Sequence, residues 1–457
     1  MKSMKMHQML SGVPQSTRSA VRQQIRQLDS FDHFDLLPAV KGAIYSDALA
    51  GLVDVVPTPV QKLAIPALTG QQPGRKAQGA GAGAGAFLIA AETGSGKTLA
   101  YTIPVVDAVK RQDLADREAA LLAPAPAPDG LEIPAVHGAL DGRPRAIILV
   151  PTAELVRQVG GVVKAFAHAV KLRVAGLSRD HSPAVIKSEF LHSPVDIVTC
   201  TPHLLNSLTS LSPALFSRCT HLVVDEADSL FDRSFSPTTA ALIDRCKGLR
   251  KLILCSATIP KSLDSRLRTL YPDMQRVVTP NLHVVPRRVR LHVVDCDGLE
   301  YRGNKKLACA DALYTISKEG WDPGFRTLVV VFVNERESAT ELAGYLRTTG
   351  IDAVELSRDS SGRADAHTLE IFTRGKLEAD ESRLAGPSKL KVLVTTDIAS
   401  RGVDTKAVKH VVLYDKPHST IDMLHRIGRV GRMGKRGRAV ILVDKHVNKA
   451  WVKDIKT

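Results

Sequence analysis

The sequence contains no long apolar run. No stretch of its 457 residues approaches the ~18 consecutive apolar residues that a membrane-spanning helix needs, and the run at residues 327–333 has the length of a buried strand instead. We therefore expect no membrane partner. With 44% hydrophobic and 24% charged residues, the composition is that of an ordinary globular protein, and the length allows two domains with a core each.

The cysteines lack the spacing of a metal site or a redox pair. None of the six forms a CxxC pair, and none has metal-ligand spacing. We predict that they are buried thiols in a reducing compartment. The six are Cys200, Cys219, Cys246, Cys255, Cys296 and Cys309.

Acidic residues are missing from the first 28 positions, where Lys and Arg are scattered among Ser, Gln and Met. This composition is typical of a mitochondrial transit peptide, so we predict a location in the mitochondrial matrix. Two alternatives stay open for this extension, a disordered basic tail that helps to hold RNA or an ordered segment. The alternative locations are the nucleolus and the cytoplasm.

Negative charge is also in deficit over the whole chain. The formal net charge is +15, from 62 Lys and Arg against 47 Asp and Glu. A merely soluble basic surface is the simpler interpretation, but an excess of this size favours a nucleic acid partner.

One stretch has the pattern of a phosphate-binding loop. The apolar residues 87–90 lead into 91–98 (AETGSGKT), and a helical pattern follows. The glycines allow backbone N–H groups to surround a triphosphate at the positive end of that helix. Lys97 is predicted to reach the β and γ phosphates, and Thr98 to coordinate Mg²⁺. The residues predicted to bind the nucleotide through this loop are Thr93, Gly94, Ser95, Gly96, Lys97 and Thr98.

Strands alternate with helices after this loop. Strand patterns at 146–150, 196–199, 222–224 and 252–254 are separated by helical patterns, and residues 71–86 and 121–145 are insertions rich in Gly, Ala and Pro. This alternation predicts an α/β fold with a mostly parallel sheet and helices on both faces. Ligands of such sheets bind at the carboxyl ends of the strands.

Polar residues follow two of these strands. Asp225 is placed to hold Mg²⁺, and Glu226 to orient and deprotonate an attacking water. After the next strand, the hydroxyls of Ser256 and Thr258 are predicted to hydrogen-bond the Asp228 carboxylate.

A second α/β alternation follows a proline-containing segment. It carries residues 395–404 (TTDIASRGVD) and 425–432 (HRIGRVGR), in which Arg426, Arg429 and Arg432 suit bidentate phosphate contacts. A basic helix face is the alternative. The predicted organisation is a basic extension at 1–30, a first domain at 31–278, a linker at 279–288 and a second domain at 289–457.

These motifs together resemble the DEAD-box RNA helicases. The resemblance rests on six ordered segments: 57–61 (PTPVQ), 91–98, 225–228 (DEAD), 256–258 (SAT), 401–404 (RGVD) and 425–432. It implies two tandem RecA-like domains with ATP in the cleft between them and RNA across both. It also implies ATP hydrolysis coupled to local opening of RNA duplexes.

The resemblance also assigns roles by position. Gln61 would read adenine, although a capping role is the alternative, and Asp404 would lie near the ribose. Arg429 and Arg432 would act as arginine fingers beside the catalytic residues Lys97, Asp225 and Glu226. Asp228, Ser256, Thr258 and His425 would couple the domains. The predicted RNA contacts are Pro151, Thr152, Thr201, Pro202, Asn334 and Thr395.

The departures from the family pattern lie mainly on the RNA side. The family's Pro-Thr-Arg-Glu-Leu is 151–155 (PTAEL) here, and its Thr-Pro-Gly-Arg is 201–204 (TPHL), so two RNA-facing arginines are lost. The aromatic residue that stacks on adenine is not evident, and Phe31 and Phe34 are candidates.

This pattern leads to a hypothesis and two rivals. The hypothesis is an ATP-gated remodeller of one ribonucleoprotein, in mitochondrial large-subunit assembly, with weak unwinding of free duplexes. Its partners would be ribosomal RNA and assembly factors or ribosomal proteins. The rivals are a structural assembly factor that binds ATP with little hydrolysis, and a DNA helicase or translocase.

Overall fold

The computed structural model divides into two compact units at Leu282. It describes residues 28–52, 55–71, 85–122, 141–232, 235–280, 288–318, 326–356, 389–397, 407–431 and 436–444, with isolated positions 21, 25, 282, 285, 371 and 372. No helix among these residues has both the length and the apolar character needed to cross a bilayer. The domain bounds and linker given above stay predictions.

The described part of the first unit is built on a seven-stranded sheet in which every pairing is parallel. The strand order is β3-β4-β2-β5-β6-β1-β7. The strands are β1 Gly85–Ala90, β2 Ala146–Leu149, β3 Val174–Leu177, β4 Ile197–Cys200, β5 His221–Val224, β6 Lys251–Ser256 and β7 Gln275–Val278. The order brings the carboxyl ends of β1, β6, β5, β2 and β4 together along one edge, and every predicted motif of this half except 57–61 follows one of these strands.

Helices cover both faces of this sheet. They are α1 Pro38–Ala43, α2 Pro59–Thr69, α3 Lys97–Leu122, α4 Ala153–Val170, α5 Pro183–Ile186, α6 Pro202–Leu208, α7 Ala227–Leu230, α8 Ser236–Arg245 and α9 Lys261–Leu270. Strand side chains alternate between two apolar clusters, as the two-residue period requires. Ile148 and Val223 pack with α1 to α4, while Ile147 and Val224 pack with α6 to α9.

The second unit has a six-stranded sheet among its described residues, again with only parallel pairings. The strand order is β10-β11-β9-β12-β13-β8. The elements are β8 Val289–Asp295, α10 Lys305–Lys318, β9 Thr327–Phe332, α11 Arg336–Thr348, β10 Asp352–Leu356, β11 Leu390–Thr395, β12 His410–Leu413, α12 Thr420–Ile427 and β13 Gly437–Val443. Two apolar clusters again lie on opposite faces, one with α10 and α11 and the other with α12. The predicted fold class is confirmed.

Two details differ from the sequence-based expectations. Helix α3 begins at Lys97 and continues to Leu122, so its last two residues lie in the segment 121–145 that was expected to be an insertion. Residues 72–84 and 123–140, which make up most of the two predicted insertions, lie outside the described part of the chain.

Candidate active site

The phosphate-loop motif connects β1 to α3. Gly94 and Gly96 have φ angles of +74° and +93°, a region that L side chains rarely adopt, so glycine is required at both turns of the loop. The loop begins where the Ala91 N–H donates a 3.2 Å hydrogen bond to the Ser256 carbonyl oxygen. The motif therefore lies at the end of β1 directly beside the end of β6, as the pattern predicted.

Two groups of this loop suit an anionic ligand. The Lys97 side chain is buried at the start of α3, and its Nζ donates a 2.9 Å hydrogen bond to the Ala91 carbonyl oxygen. Ser95 Oγ is buried and has no hydrogen-bond partner in the described part of the chain. A buried cation beside an unpaired hydroxyl at a helix N-terminus fits phosphate oxygens.

Gln61 contacts this loop and does not extend into open space. Its side-chain carbonyl accepts from the Thr58 backbone N–H at 2.8 Å, and its amide donates to the Gly96 carbonyl oxygen at 3.2 Å. The capping role given as the alternative is thus present. Adenine recognition by Gln61 stays a prediction.

Asp225 is buried at the end of β5 and accepts two hydrogen bonds. Tyr101 Oη donates to Oδ2 at 2.7 Å, and the Glu226 backbone N–H donates to Oδ1 at 2.9 Å. Burial and the neighbouring Glu226 raise the pKa of Asp225 to about 6, while Tyr101 and Lys97 oppose this shift. A carboxylate and a hydroxyl, such as those of Asp225 and Thr98, are oxygen ligands of the type that Mg²⁺ prefers.

Glu226 has a left-handed backbone conformation, with φ 51° and ψ 52°. Such a conformation is strained for a residue with a Cβ and persists where the surroundings fix it, often at functional sites. The backbone turns here from β5 into α7, and Glu226 lies next to the buried Asp225.

Of the two hydroxyls predicted to hydrogen-bond Asp228, one does so. Thr258 Oγ1 donates to Asp228 Oδ2, which joins the ends of β5 and β6. The prediction is wrong for Ser256, whose Oγ donates instead to the Thr258 carbonyl oxygen at 2.7 Å. The side chain of Ser256 is buried at the end of β6, so its hydroxyl closes the local turn.

The predicted RNA contacts of the first unit lie together. Pro151 and Thr152 follow β2, while Thr201 and Pro202 follow its neighbour β4. Thr152 Oγ1 accepts from the Leu155 N–H and caps α4, and Pro202 is the first residue of α6. Their RNA contacts stay predictions.

Of the predicted RNA contacts of the second unit, Asn334 follows β9 and Thr395 is the last residue of the neighbouring strand β11. Thr395 is fully buried. The amide of Asn334 is engaged within the protein, since its Oδ1 accepts from Arg426 at 2.7 Å and its Nδ2 donates to the Lys416 carbonyl oxygen at 2.9 Å. Asn334 is therefore part of the internal framework of this unit.

Arg426 does not have the phosphate-binding role that its spacing suggested. Its side chain is fully buried, and it forms a bidentate pair with Asp397 at 2.8 and 2.6 Å. The phosphate interpretation is wrong for this arginine because its donors are used inside the domain. His425 lies on α12 and Arg429 follows it, whereas Asp404 and Arg432 lie outside the described residues.

Phe31 and Phe34 are excluded as adenine-stacking residues. Both are buried in the apolar cluster under α1 to α4, and their rings pack edge to face with centroids 6.0 Å apart. Neither ring has a face available to a ligand.

Tyr101 is the site residue that the sequence analysis missed. It lies on α3 among apolar neighbours and is 124 positions from Asp225, so no local pattern connects the two. The only signal available was a hydroxyl within an otherwise apolar helix face, one turn after the phosphate loop.

Comparisons with known proteins agree with this arrangement. The DEAD/DEAH box helicase family matches residues 58–265, and the helicase conserved C-terminal domain matches residues 311–434. The chain is 46% identical to the mitochondrial ATP-dependent RNA helicase mrh4 of Aspergillus oryzae, over the whole chain and 81% of that protein. It is 45% identical to MRH4 of Pyricularia oryzae, over the whole chain and 77% of that protein.

Solved structures show the same fold. Dbp5 of S. cerevisiae, bound to RNA and ADP BeF3, is 20% identical with a TM-score of 0.65, and 93% of each chain is covered. Mss116p, bound to ssRNA and AMP-PNP, is 19% identical with a TM-score of 0.67, covering 92% of this chain and 75% of that one. Two RecA-like domains are therefore confirmed.

The names of the relatives also bear on location and activity. Both fungal relatives are named mitochondrial, which confirms the mitochondrial location predicted from the acid-free N-terminal residues. Both relatives are also named ATP-dependent RNA helicases. The chain belongs to the DEAD/DEAH box helicase family of ATP-hydrolysing RNA helicases.

Proposed function

We propose that this protein is an RNA-dependent ATPase that remodels RNA locally within one ribonucleoprotein and opens free duplexes weakly. The particle would be the large subunit of the mitochondrial ribosome during its assembly in the matrix. The proposal combines the location with phosphate- and magnesium-binding groups that match the family pattern and a reduced set of RNA-binding groups.

The nucleotide roles follow from the chemistry of the loop. Ser95 and Lys97 would bind the triphosphate with the loop N–H groups, because a buried hydroxyl and a buried ammonium meet phosphate oxygens well. Thr98 and Asp225 would hold Mg²⁺, which when bound neutralises phosphate charge. Glu226 would orient and deprotonate the attacking water.

The remaining roles come from family resemblance. Gln61 would recognise adenine, and Asp404 would lie near the ribose. Arg429 and Arg432 would neutralise the γ-phosphate, while Asp228, Ser256, Thr258 and His425 would couple hydrolysis to movement. The RNA contacts would come from Pro151, Thr152, Thr201, Pro202, Asn334 and Thr395.

The proposal of weak RNA binding rests on the side chains at the two positions where the family pattern has arginine. Leu204, where the family pattern has an arginine, is buried in the apolar cluster beneath α6. Its neighbour His203 packs its ring against Phe235, with centroids 5.1 Å apart. At the other lost position, Ala153 has only a methyl group at the start of α4. Neither Leu204 nor Ala153 can donate to a phosphate, so each loss weakens RNA binding by about 1 kcal/mol.

The first experiment measures ATP hydrolysis by the full chain with and without bulk RNA. Glu226→Gln should abolish the RNA-stimulated rate, whereas Glu337→Gln, the same change at an exposed position of α11, should leave it unchanged. A wild-type rate that Glu226→Gln does not lower would contradict the ATPase assignment and favour the structural rival. Stimulation by DNA equal to that by RNA would favour the DNA rival.

The second experiment addresses the particle. A Glu226→Gln variant that binds ATP without hydrolysing it should stay attached to its RNA. Affinity purification from mitochondria should then recover large-subunit ribosomal RNA in excess over the wild-type protein. Equal recovery of large- and small-subunit RNA would overturn the large-subunit assignment, and rapid displacement of a free duplex would overturn the weak-unwinding one.

A further inference from the structure

Tyr101 contacts Asp225, one of the two residues that are proposed to hold Mg²⁺. Its ring is fully buried on α3, one helical turn after Thr98. Its hydroxyl donates to Asp225 Oδ2 at 2.7 Å. Tyr101 therefore connects the start of α3 with the end of β5 through a single hydrogen bond.

The direction of this hydrogen bond follows from the donors available. An ionised carboxylate can only accept, so the phenol of Tyr101 donates its proton to Asp225. Both groups are buried, so the contact is shielded from water.

This contact fixes the orientation of the Asp225 carboxylate. Oδ2 accepts from Tyr101 and Oδ1 accepts from the Glu226 N–H. Each carboxylate oxygen has a second lone pair that can bind a cation. The Asp225 side chain is therefore oriented before any ligand binds, which lowers the cost of binding.

We propose that Tyr101 is a positioning residue that orients Asp225 for the Mg²⁺–nucleotide complex. The proposal rests on the metal role assigned to Asp225 in the proposed function. Tyr101 would act through Asp225 and would not contact the nucleotide itself. Its removal should weaken the coupling between Mg²⁺ and nucleotide more than it weakens nucleotide binding alone.

The test compares Tyr101→Phe with the wild-type protein. The change removes one hydroxyl and keeps the buried ring. Affinity for a fluorescent ADP analogue is measured with Mg²⁺ and with EDTA, and the ratio of the two affinities reports the coupling. We expect the ratio to fall about fivefold to tenfold, the size of one charge-assisted hydrogen bond, with little change in EDTA.

Tyr301→Phe is the matched control. Tyr301 Oη donates to Asp311 Oδ2 at 2.7 Å in the second unit, so this variant also loses one tyrosine–aspartate hydrogen bond. Both variants should lose similar thermal stability without nucleotide, and the ratio should fall only for Tyr101→Phe. If affinity with EDTA falls as much as affinity with Mg²⁺, Tyr101 has only a structural role.

Asp225→Asn separates failure of this proposal from failure of the metal assignment. If Asp225→Asn abolishes the effect of Mg²⁺ and Tyr101→Phe leaves the ratio unchanged, the inference about Tyr101 is wrong while the proposed function stands. If Asp225→Asn also leaves the ratio unchanged, Asp225 has no metal role and both proposals fall.

Discussion

The guanidinium of Arg426 and the carboxylate of Asp397 form a bidentate ion pair inside the second unit, with none of the arginine side chain exposed. The same guanidinium donates to Asn334 Oδ1 and to the Asp415 carbonyl oxygen, and it lies 5.5 Å from the centre of the Phe332 ring. The pair joins the loops after β9, β11 and β12 to α12. The helix that precedes the predicted arginine finger Arg429 is thereby fixed to its own sheet.

We predict that Arg426→Gln strongly destabilises the second unit. The change removes the guanidinium that pairs with the Asp397 carboxylate, and removing one member of a buried pair costs about 3–5 kcal/mol. Hydrogen exchange of the α12 amides in the full chain should accelerate accordingly.

The control for this prediction is Arg157→Gln, which breaks an exposed pair with Glu154 in the first unit. An exposed pair contributes about 0–1 kcal/mol, so exchange should hardly change in either unit. Equal exchange in the two variants would show that the buried pair contributes nothing to holding α12.

The phosphate loop leads to a second prediction, on Gly96. A Cβ at this position would lie 2.7 Å from Gln61 Nε2, and the φ angle of +93° is unfavourable for alanine. Gly96→Ala should therefore displace Gln61 or the loop and lower nucleotide affinity at least tenfold, an effect of about 1.4 kcal/mol. Equilibrium titration with a fluorescent nucleotide measures this.

Gly161→Ala provides the matched control for Gly96→Ala. Gly161 lies within α4 with nothing within 4 Å of an added Cβ. The change should stabilise the protein by roughly 0.5–1 kcal/mol and leave nucleotide affinity unchanged. Normal affinity in Gly96→Ala would mean that the loop tolerates the side chain after rearrangement.

Some elements of this structure could be predicted from the sequence and others could not, for reasons that differ from one element to the next. Strand β9 is a run of apolar residues because both of its faces are buried, so its sequence identified it. Strand β8 is at the edge of its sheet and exposes Arg290 and His292, so no continuous run marked it. The location of the catalytic motifs was also predictable from the sequence, because parallel strands place their carboxyl ends at one edge of the sheet.

The hydrogen-bond and ion-pair partners of side chains were harder to predict from the sequence than the positions of strand ends. Ser256 and Thr258 have hydroxyls at the same turn, and only the geometry of the turn decides that Thr258 alone contacts Asp228. Arg426 and Arg429 look equivalent in sequence, but the first is held by Asp397, which comes from a strand end 29 positions away. These partners depend on the packing of the whole domain.

The pH dependence of stability should carry a contribution from His221. Burial, followed by Lys251 and Arg250, lowers the pKa of His221 to about 3 from 6.5. Between these values the unfolded chain binds more protons, so stability is lost as pH falls from 6.5 towards 3. The slope is about 1.4 kcal/mol per pH unit and the total about 5 kcal/mol.

The measurement is urea unfolding across this range for the wild-type protein and His221→Phe. Asp225 contributes with the opposite sign between pH 4 and 6, because its pKa is raised to about 6, so only the difference between the two proteins isolates His221. Because phenylalanine does not titrate, the wild-type protein should lose more stability than the variant as pH falls. Parallel curves would show that His221 is protonated in the folded state.

If RNA binding is weak because two arginines are absent, one lost arginine–phosphate contact should be restorable by mutation. Ala153 is the first residue of α4, partly exposed beside the helix N-terminus, whereas Leu204 is buried and cannot be replaced by arginine without disrupting its cluster. Ala153→Arg should therefore strengthen binding of single-stranded RNA about fivefold to tenfold, the effect of one charged contact. Fluorescence anisotropy over a series of salt concentrations measures this.

The salt dependence decides whether the gain comes from a phosphate. One added phosphate contact makes the slope of log K against log salt steeper by about 0.7 for single-stranded RNA. Ala153→Gln has a similar length without the charge and should leave the slope unchanged. A gain in affinity with no change in slope would indicate a contact other than phosphate. No gain at all would mean that RNA does not pass the start of α4, and the comparison with the family's RNA face would fail at this position.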